Sequence, residues 1–236
     1  MKAMIFSDFI LTKRILAQLF VICAVITLFI AWASETLVTV TAAFSAMVPL
    51  LFIFSAASYD EVNEWQSFRL SMPLSRNNVV CGRYVALLFV AIVAAVIGLA
   101  FAFLVGALAQ VLNPLVGELT GLMIENTPVE AIGYSAAGGA AVALVMAAFT
   151  FPFAFRFGMT KAVRFVPLAI AALSILVMTL FGENGPLAYL VPDAFQFFIS
   201  DDNGFLILFI SAVGVAFILY LISLALSCKL YQTREL

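Results

Sequence analysis

Six stretches of the chain lack aspartate, glutamate, lysine and arginine and are long enough to cross a bilayer. A hydrocarbon core of about 30 Å takes roughly 20 helical residues. The stretches are residues 15–34, 36–59, 84–117, 131–155, 165–182 and 204–228. Their hydrophobicity is continuous rather than alternating, and lipid offers no partner for open backbone groups, so helices are favoured over barrel strands. The sequence therefore predicts an all-α membrane protein with six transmembrane helices.

Residue types that support catalysis or ion coupling are scarce. The chain has no histidine, and only 10% of its residues are charged. The six predicted spans contain no Asp, Glu, Lys or Arg, whereas ion-coupled carriers keep ionisable groups near mid-bilayer. The cysteines Cys23, Cys81 and Cys228 lack the spacing of a metal or disulfide site, and we interpret them as structural. We expect no enzyme activity, no metal site and no ion-driven transport.

Charge is divided between the two predicted faces of the membrane. All eleven lysine and arginine residues precede the first span, follow the sixth, or lie between spans two and three or spans four and five. The opposite face carries only acidic charges, among them Glu35, Glu118 and Asp193. Lysine and arginine are retained on the cytoplasmic side of membranes. Both termini are therefore predicted to be cytoplasmic, in the plasma membrane of a bacterium.

One charged segment, residues 58–83 between spans two and three, differs from its apolar surroundings. Residues 60–70 are predicted to form a short cytoplasmic helix, with acidic residues in its first turn and a basic residue near its end, as the helix dipole favours. It carries Asp60, Glu61, Glu64, Trp65, Phe68 and Arg69, and Pro73 ends it. Ser75 is the predicted N-cap of a helix that runs through Arg83 into span three. The alternative is a polar loop with its tryptophan at the membrane interface.

The pattern YDEVNEWQSFRLSMPLSRNNVVCGRYVALL, residues 59–88, resembles the hallmark of small ABC-2 type permeases, the membrane subunits of ABC transporters without a fused ATPase. In that family a Tyr-Asp-Glu stretch after span two leads into an aromatic-containing segment, an S-x-P-x-S-R motif and span three. The matching residues are Tyr59, Asp60, Glu61, Trp65, Phe68, Ser71, Pro73, Ser75 and Arg76. The Arg-Asn-Asn sequence at 76–78 departs from more acidic and lysine-rich members, which leaves the particular ATPase partner open.

The resemblance implies partners for the chain. Two permeases, forming a homodimer or a heterodimer, would lie side by side in the lipid bilayer, each resting on a cytoplasmic ABC ATPase. ATP and magnesium would bind to that ATPase, because this chain lacks a Walker A loop and carries no cofactor. No nucleic-acid partner is expected. Residues 58–83 would be the coupling segment, and its ATPase-coupling residues would be Asp60, Glu61, Glu64, Trp65, Phe68, Arg69, Pro73 and Arg76.

Two further segments complete a single permease domain over residues 1–236. Residues 1–14 are predicted to form an amphipathic interfacial helix, with an extended first span as the alternative. Residues 182–204 are too apolar for an ordinary outer loop and too short and proline-broken to span. They predict an external re-entrant hairpin, with a packed outer loop as the alternative. In the family such elements help to close the external gate, and the residues here would be Pro186, Tyr189, Pro192 and Phe195.

The predicted function is the permease subunit of an ATP-driven exporter. The family includes exporters of amphipathic peptide toxins, bacteriocins, drugs and lipids, and the apolar spans favour an amphipathic peptide or a hydrophobic small molecule over a sugar or an ion. An accessory membrane protein without transport activity, such as an immunity or assembly factor, is the alternative from a different class. A secondary carrier ranks third, because the predicted spans lack charge.

Overall fold

The computed structural model describes residues 2–62, 76–116, 120–157 and 202–232, together with six helical positions between 168 and 179. Side chains are described for residues 15–55, 77–113, 120–156 and 204–231 and for those six positions. Every regular element within these ranges is a helix, and none is a strand. The predicted all-α fold is therefore confirmed for the described part of the chain.

Five long helices lie in the described ranges. They are α1 (Lys2–Ser34), α2 (Leu37–Val62), α3 (Arg76–Val116), α4 (Val129–Phe157) and α5 (Asp202–Gln232). Each contains a stretch long and apolar enough to cross a membrane: Ile15–Ser34, Leu37–Ser55, Asn77–Asn113, Val129–Arg156 and Gly204–Tyr231. These correspond to five of the six predicted spans. The remaining span, residues 165–182, falls largely outside the described residues, and so does the re-entrant hairpin over 182–204, so both stay predictions.

Several helices extend beyond the predicted spans. The backbone of α1 is one continuous helix from Lys2, which corresponds to the alternative of an extended first span; a separate interfacial helix over residues 1–14 is not confirmed. Helix α3 begins at Arg76, directly after the predicted N-cap, and continues through Arg83 without a break, as predicted. Its 41 residues extend about 60 Å at roughly 1.5 Å each. Because this is about twice the thickness of a hydrocarbon core, α3 reaches beyond the apolar layer.

The helices pack around α2 and α4. Helix α2 contacts α1, α3 and α4, while α5 contacts α4 and α3. One buried cluster links α2, α3, α4 and α5 and includes Phe44, Tyr84 and Phe151. A second cluster, around Leu37 and Ile132, links α1 to α4 close to the α1–α2 corner. Many apolar side chains on the outer faces of the helices are exposed, as expected for surfaces that face lipid.

The backbones of α2 and α4 approach each other closely at Gly139. A Cβ atom at this position would collide with the side-chain oxygen of Ser45 and would lie 2.5 Å from the backbone oxygen of Ala42. Both of these residues belong to α2. The absence of a side chain at Gly139 therefore permits direct contact between the two helices, as small residues commonly do in membranes.

Helices α1 and α2 are joined by a corner of only two residues, Glu35 and Thr36. Glu35 has a φ of 54°, in the left-handed region that residues other than glycine seldom adopt. Its N–H donates to the backbone oxygen of Ala31 at 2.9 Å, which closes the last turn of α1. Gly121, in the 3-10 turn Thr120–Leu122, packs against the backbone oxygen of Glu35 where a Cβ atom would collide.

The two ends of the bundle differ in charge among the described side chains. We call the end with the α1–α2 corner and the start of α4 the acidic end, because it carries Glu35, Glu125 and Glu130. We call the opposite end, where α3 begins and α4 and α5 finish, the basic end. There the described charged side chains are Arg83, Arg156 and Lys229.

Candidate functional site

The predicted coupling segment connects the end of α2 to the start of α3 at the basic end. Asp60 and Glu61 lie in the last turn of α2, not in the first turn of a separate helix, and Arg76 is the first residue of α3. The side chains of these three residues lie outside the described part. The remaining predicted coupling and gate residues also lie outside it: Glu64, Trp65, Phe68, Arg69, Pro73, Pro186, Tyr189, Pro192 and Phe195. Their roles stay predictions.

Arg83 lies at the boundary of the third span. The predicted third span starts one residue later, at Tyr84, whereas the longer candidate stretch Asn77–Asn113, which is defined by helix length and composition, includes Arg83. Its side chain is only 5% exposed. Arg83 is buried because α3 starts two turns before Tyr84 and packs against α4 and α5. Because Arg83 lies near the basic end, it does not supply the mid-bilayer charge of an ion-coupled carrier.

A buried cluster of hydroxyl groups lies one residue further along α3. The hydroxyl of Tyr84 is 2.7 Å from Ser223 Oγ and 2.8 Å from Ser227 Oγ, both on α5. Tyr220, also on α5, donates from its hydroxyl to the backbone oxygen of Tyr84 at 2.7 Å. The Tyr84 ring lies 4.7 Å from the Phe151 ring of α4 and 4.9 Å from the Tyr220 ring, measured between centroids. Tyr84 therefore contacts two neighbouring helices at once.

The direction of each hydrogen bond in this cluster follows from the number of available protons. A serine or tyrosine hydroxyl has one proton to donate. Ser223 donates its proton to the backbone oxygen of Ala148 on α4 at 2.6 Å. Tyr84 must therefore be the donor to Ser223, and Ser227 must be the donor to Tyr84. The bonds run in one order, from Ser227 through Tyr84 and Ser223 to Ala148, and we call this series the hydroxyl chain.

Pro152 explains why the carbonyl of Ala148 accepts a proton from another helix. Proline has no N–H, so the carbonyl four residues earlier loses its partner within α4. An unpaired carbonyl inside a membrane costs several kcal/mol. Ser223 supplies the missing donor, and the proline break in α4 is thereby bonded to α5.

The hydroxyl chain can hold helices together, but it cannot relay protons. Its last acceptor is a backbone carbonyl, which has no proton to pass on. No group of three or more His, Cys, Asp or Glu that could hold a metal ion occurs among the described residues. The hydrogen bonds hold the basic ends of α3, α4 and α5 in fixed positions relative to one another.

Neither this cluster nor the pair of thiols beside it was predicted from the sequence. Cys81 on α3 lies near Cys228 on α5, although their spacing in the sequence suggested no relation. Part of the cluster is visible as a spacing pattern in the sequence. Tyr220, Ser223 and Ser227 recur at spacings of three and four, which places polar groups on one face of an apolar helix. Nothing in the sequence identified their partner on α3.

A comparison with known families shows which kind of membrane protein this bundle is. Residues 3–232 match the family model described as ABC-2 family transporter protein. The chain belongs to the ABC-2 transporter family. The resemblance found in residues 59–88 is therefore confirmed over nearly the whole chain. No match was found among curated proteins or among solved structures.

Membership of the ABC-2 family makes the chain a membrane component of an ABC transporter, a class of permease that associates with an ATPase partner. In this ABC-2 protein the polypeptide enters α3 at Arg76 and reaches the hydroxyl chain two helical turns later, at Tyr84. The candidate functional site is therefore the basic end as a unit: the predicted coupling segment together with the buried contacts that follow it.

Proposed function

We propose that the chain is the permease subunit of an ATP-driven exporter, powered by a separate ATPase that docks on residues 58–83. The observation that carries this proposal is the match to the ABC-2 family over residues 3–232. Helix α3 supports it, because its unbroken backbone from Arg76 would transmit a displacement of the coupling segment into the bundle.

The basic end would face the cytoplasm. The described charges support this orientation, since basic side chains lie at one end and acidic side chains at the other. The coupling residues Asp60, Glu61, Glu64, Trp65, Phe68, Arg69, Pro73 and Arg76 would then meet the ATPase on the inner side. Residues 182–204 would form the external gate.

The cargo would be an amphipathic peptide or a hydrophobic small molecule, carried outward by two permeases and two ATPases. Support comes from the described spans, which are dominated by apolar side chains. The buried hydroxyls Thr27, Thr41 and Thr150 bond carbonyls of their own helices, so they present little free polarity to a cargo. Spans of this composition suit a molecule with a large apolar surface better than a sugar.

Copurification tests the proposed function. A tagged permease is expressed with candidate ABC ATPases that carry a Walker A motif, extracted in mild detergent and captured. We expect one ATPase to remain bound per permease chain. After reconstitution into liposomes, amphipathic peptides should stimulate its ATP hydrolysis several-fold. The accessory role would be supported instead by two results together. The permease would purify without any of these ATPases, and deletion of the permease would leave peptide export unchanged.

A labelling experiment tests the orientation. In a variant with all three cysteines replaced, single cysteines are placed by Gln66→Cys in the coupling segment and Glu125→Cys at the acidic end. A membrane-impermeant maleimide should label Glu125→Cys in intact cells, and Gln66→Cys only in inverted vesicles. Labelling of Gln66→Cys from outside would overturn the proposed docking site, because the ATPase is cytoplasmic.

A further inference from the structure

We propose that Tyr84 is the joint through which the coupling segment moves α4 and α5, so that the basic ends of three helices move as one body. This inference rests on the proposed function. It assigns Tyr84 the role of a positioning residue, because the tyrosine would act through the helices it holds and not through contact with cargo or ATP.

The position of Tyr84 suits this role. It lies eight residues after the start of α3, about 12 Å along the helix at roughly 1.5 Å per residue. Its side chain is 2% exposed, so its contacts are shielded from water. A displacement applied at Arg76 would pass the buried residues Val79 and Val80 and then reach Tyr84.

The hydroxyl chain gives this joint its stiffness. Each proton is committed to one acceptor, so a shift of α3 relative to α5 breaks bonds from Tyr84 to Ser223 and from Ser227 to Tyr84 together. Tyr84, Ser223 and Ser227 are all buried, and hydrogen bonds left unmade in a buried site are costly. Apolar residues of similar shape would pack as well but would allow sliding. Hydrogen bonds hold one relative position.

The hydroxyl chain also contacts α4 at the break that Pro152 makes in its backbone hydrogen bonding. Pro152 interrupts the ladder of α4, and helices bend at such interruptions. The carbonyl of Ala148, which Pro152 leaves without a donor inside α4, is the last acceptor of the hydroxyl chain. Movement of α3 would thus act on α4 at the place where α4 bends most easily, through Ser223 of α5.

The variant Tyr84→Phe tests the joint, because it keeps the ring contacts with Phe151 and Tyr220 and removes only the hydroxyl. The matched control is Tyr134→Phe, since Tyr134 also lies between α4 and α5, packed on Phe205 and Phe209. Transport and ATP hydrolysis are measured on the same permease–ATPase liposomes. We expect Tyr84→Phe to lower cargo moved per ATP about tenfold, with ATPase binding retained, and the control to stay within about twofold of wild type.

A double variant separates a joint from a general loss of stability. Ser223→Ala interrupts the same hydroxyl chain, so Tyr84→Phe with Ser223→Ala should transport about as much per ATP as either single variant. The proposal would be overturned if the double variant lost the product of the two single losses in cargo moved per ATP. It would also be overturned if Tyr84→Phe moved as much cargo per ATP as wild type, or if Tyr134→Phe lost as much as Tyr84→Phe. If instead the wild-type complex binds no ATPase and moves no cargo, the proposed function fails before the joint is tested.

Cys81 and Cys228 provide a second test, and its wild-type arm does not depend on how well Tyr84→Phe folds. Copper phenanthroline in air oxidises neighbouring thiols to a disulfide, and Cys81 and Cys228 lie near each other across α3 and α5. If the helices move as one body, this cross-link should leave wild-type transport intact. In Tyr84→Phe it should restore the amount of cargo moved per ATP. Loss of wild-type transport after the disulfide forms, or a Tyr84→Phe variant that still moves little cargo per ATP after it forms, contradicts the proposal.

Discussion

Replacing Gly139 with alanine will destabilise the protein by about 2 kcal/mol, and replacing it with valine by more. A single methyl group at this position would collide with Ser45 and approach the backbone of Ala42 to 2.5 Å. Backbone atoms cannot rotate away as a flexible side chain can, so α2 and α4 must separate. The separation would loosen the buried cluster around Phe44 and Phe151.

Heating the detergent-solubilised protein and measuring the monodisperse fraction by gel filtration will check this prediction. We expect the midpoint to fall by about 4–8 °C for Gly139→Ala. Two glycines of the same helix serve as controls. A Cβ atom at Gly133 meets nothing within 4 Å, and one at Gly138 lies 3.7 Å from the Phe209 ring. Gly133→Ala and Gly138→Ala should match or exceed wild type, since alanine favours the helix. Equal midpoints for all three variants would contradict the packing of α2 on α4.

Replacing Trp65 with alanine will reduce transport strongly while leaving membrane insertion intact. Trp65 is the proposed apolar anchor in the ATPase cleft, and truncation of such an anchor typically costs 2 kcal/mol or more, which is about thirtyfold in affinity. Glu64→Lys should have a similar effect, because it reverses a proposed register-setting charge. For both Trp65→Ala and Glu64→Lys we expect weaker ATPase binding, and slower export when the ATPase concentration is limiting.

The other tryptophan of the chain provides the matched control. Trp32, near the acidic end of α1, is 67% exposed and far from the coupling segment in sequence. Trp32→Ala makes the same chemical change and should leave ATPase binding unchanged. Insertion is checked by the yield of monodisperse protein. Normal export by both Trp65→Ala and Glu64→Lys would show that residues 58–83 are not the coupling segment.

The positions of the spans could be predicted from sequence because a bilayer imposes them. An uncharged run of sufficient length has few other folds open to it in lipid. The start of α3 was also predictable, because proline and serine at 73 and 75 are local helix signals. The end of α2 was not, since Asp60 and Glu61 remain in its helix despite their unfavourable position at its C-terminal end.

The contacts between helices could not be predicted in the same way. In these spans apolar residues cover every side of the helix, so hydrophobicity does not separate the lipid-facing side from the packed side. Phe89 is exposed while the adjacent Val90 is buried, and the sequence gives no sign of the difference. The partnership of Tyr84 with Ser223 joins residues that are remote in the sequence. The burial of Arg83 depends on the same packing.

The tight turn at Glu35 and Thr36 has a consequence for how the protein enters the membrane. With only two residues between them, α1 and α2 cannot insert independently at separate places. They must enter together as a helical hairpin whose tip carries a single carboxylate. With the acidic end outside, as proposed, the polar load that is translocated with the first two helices is close to the smallest that a connection between two spans can have.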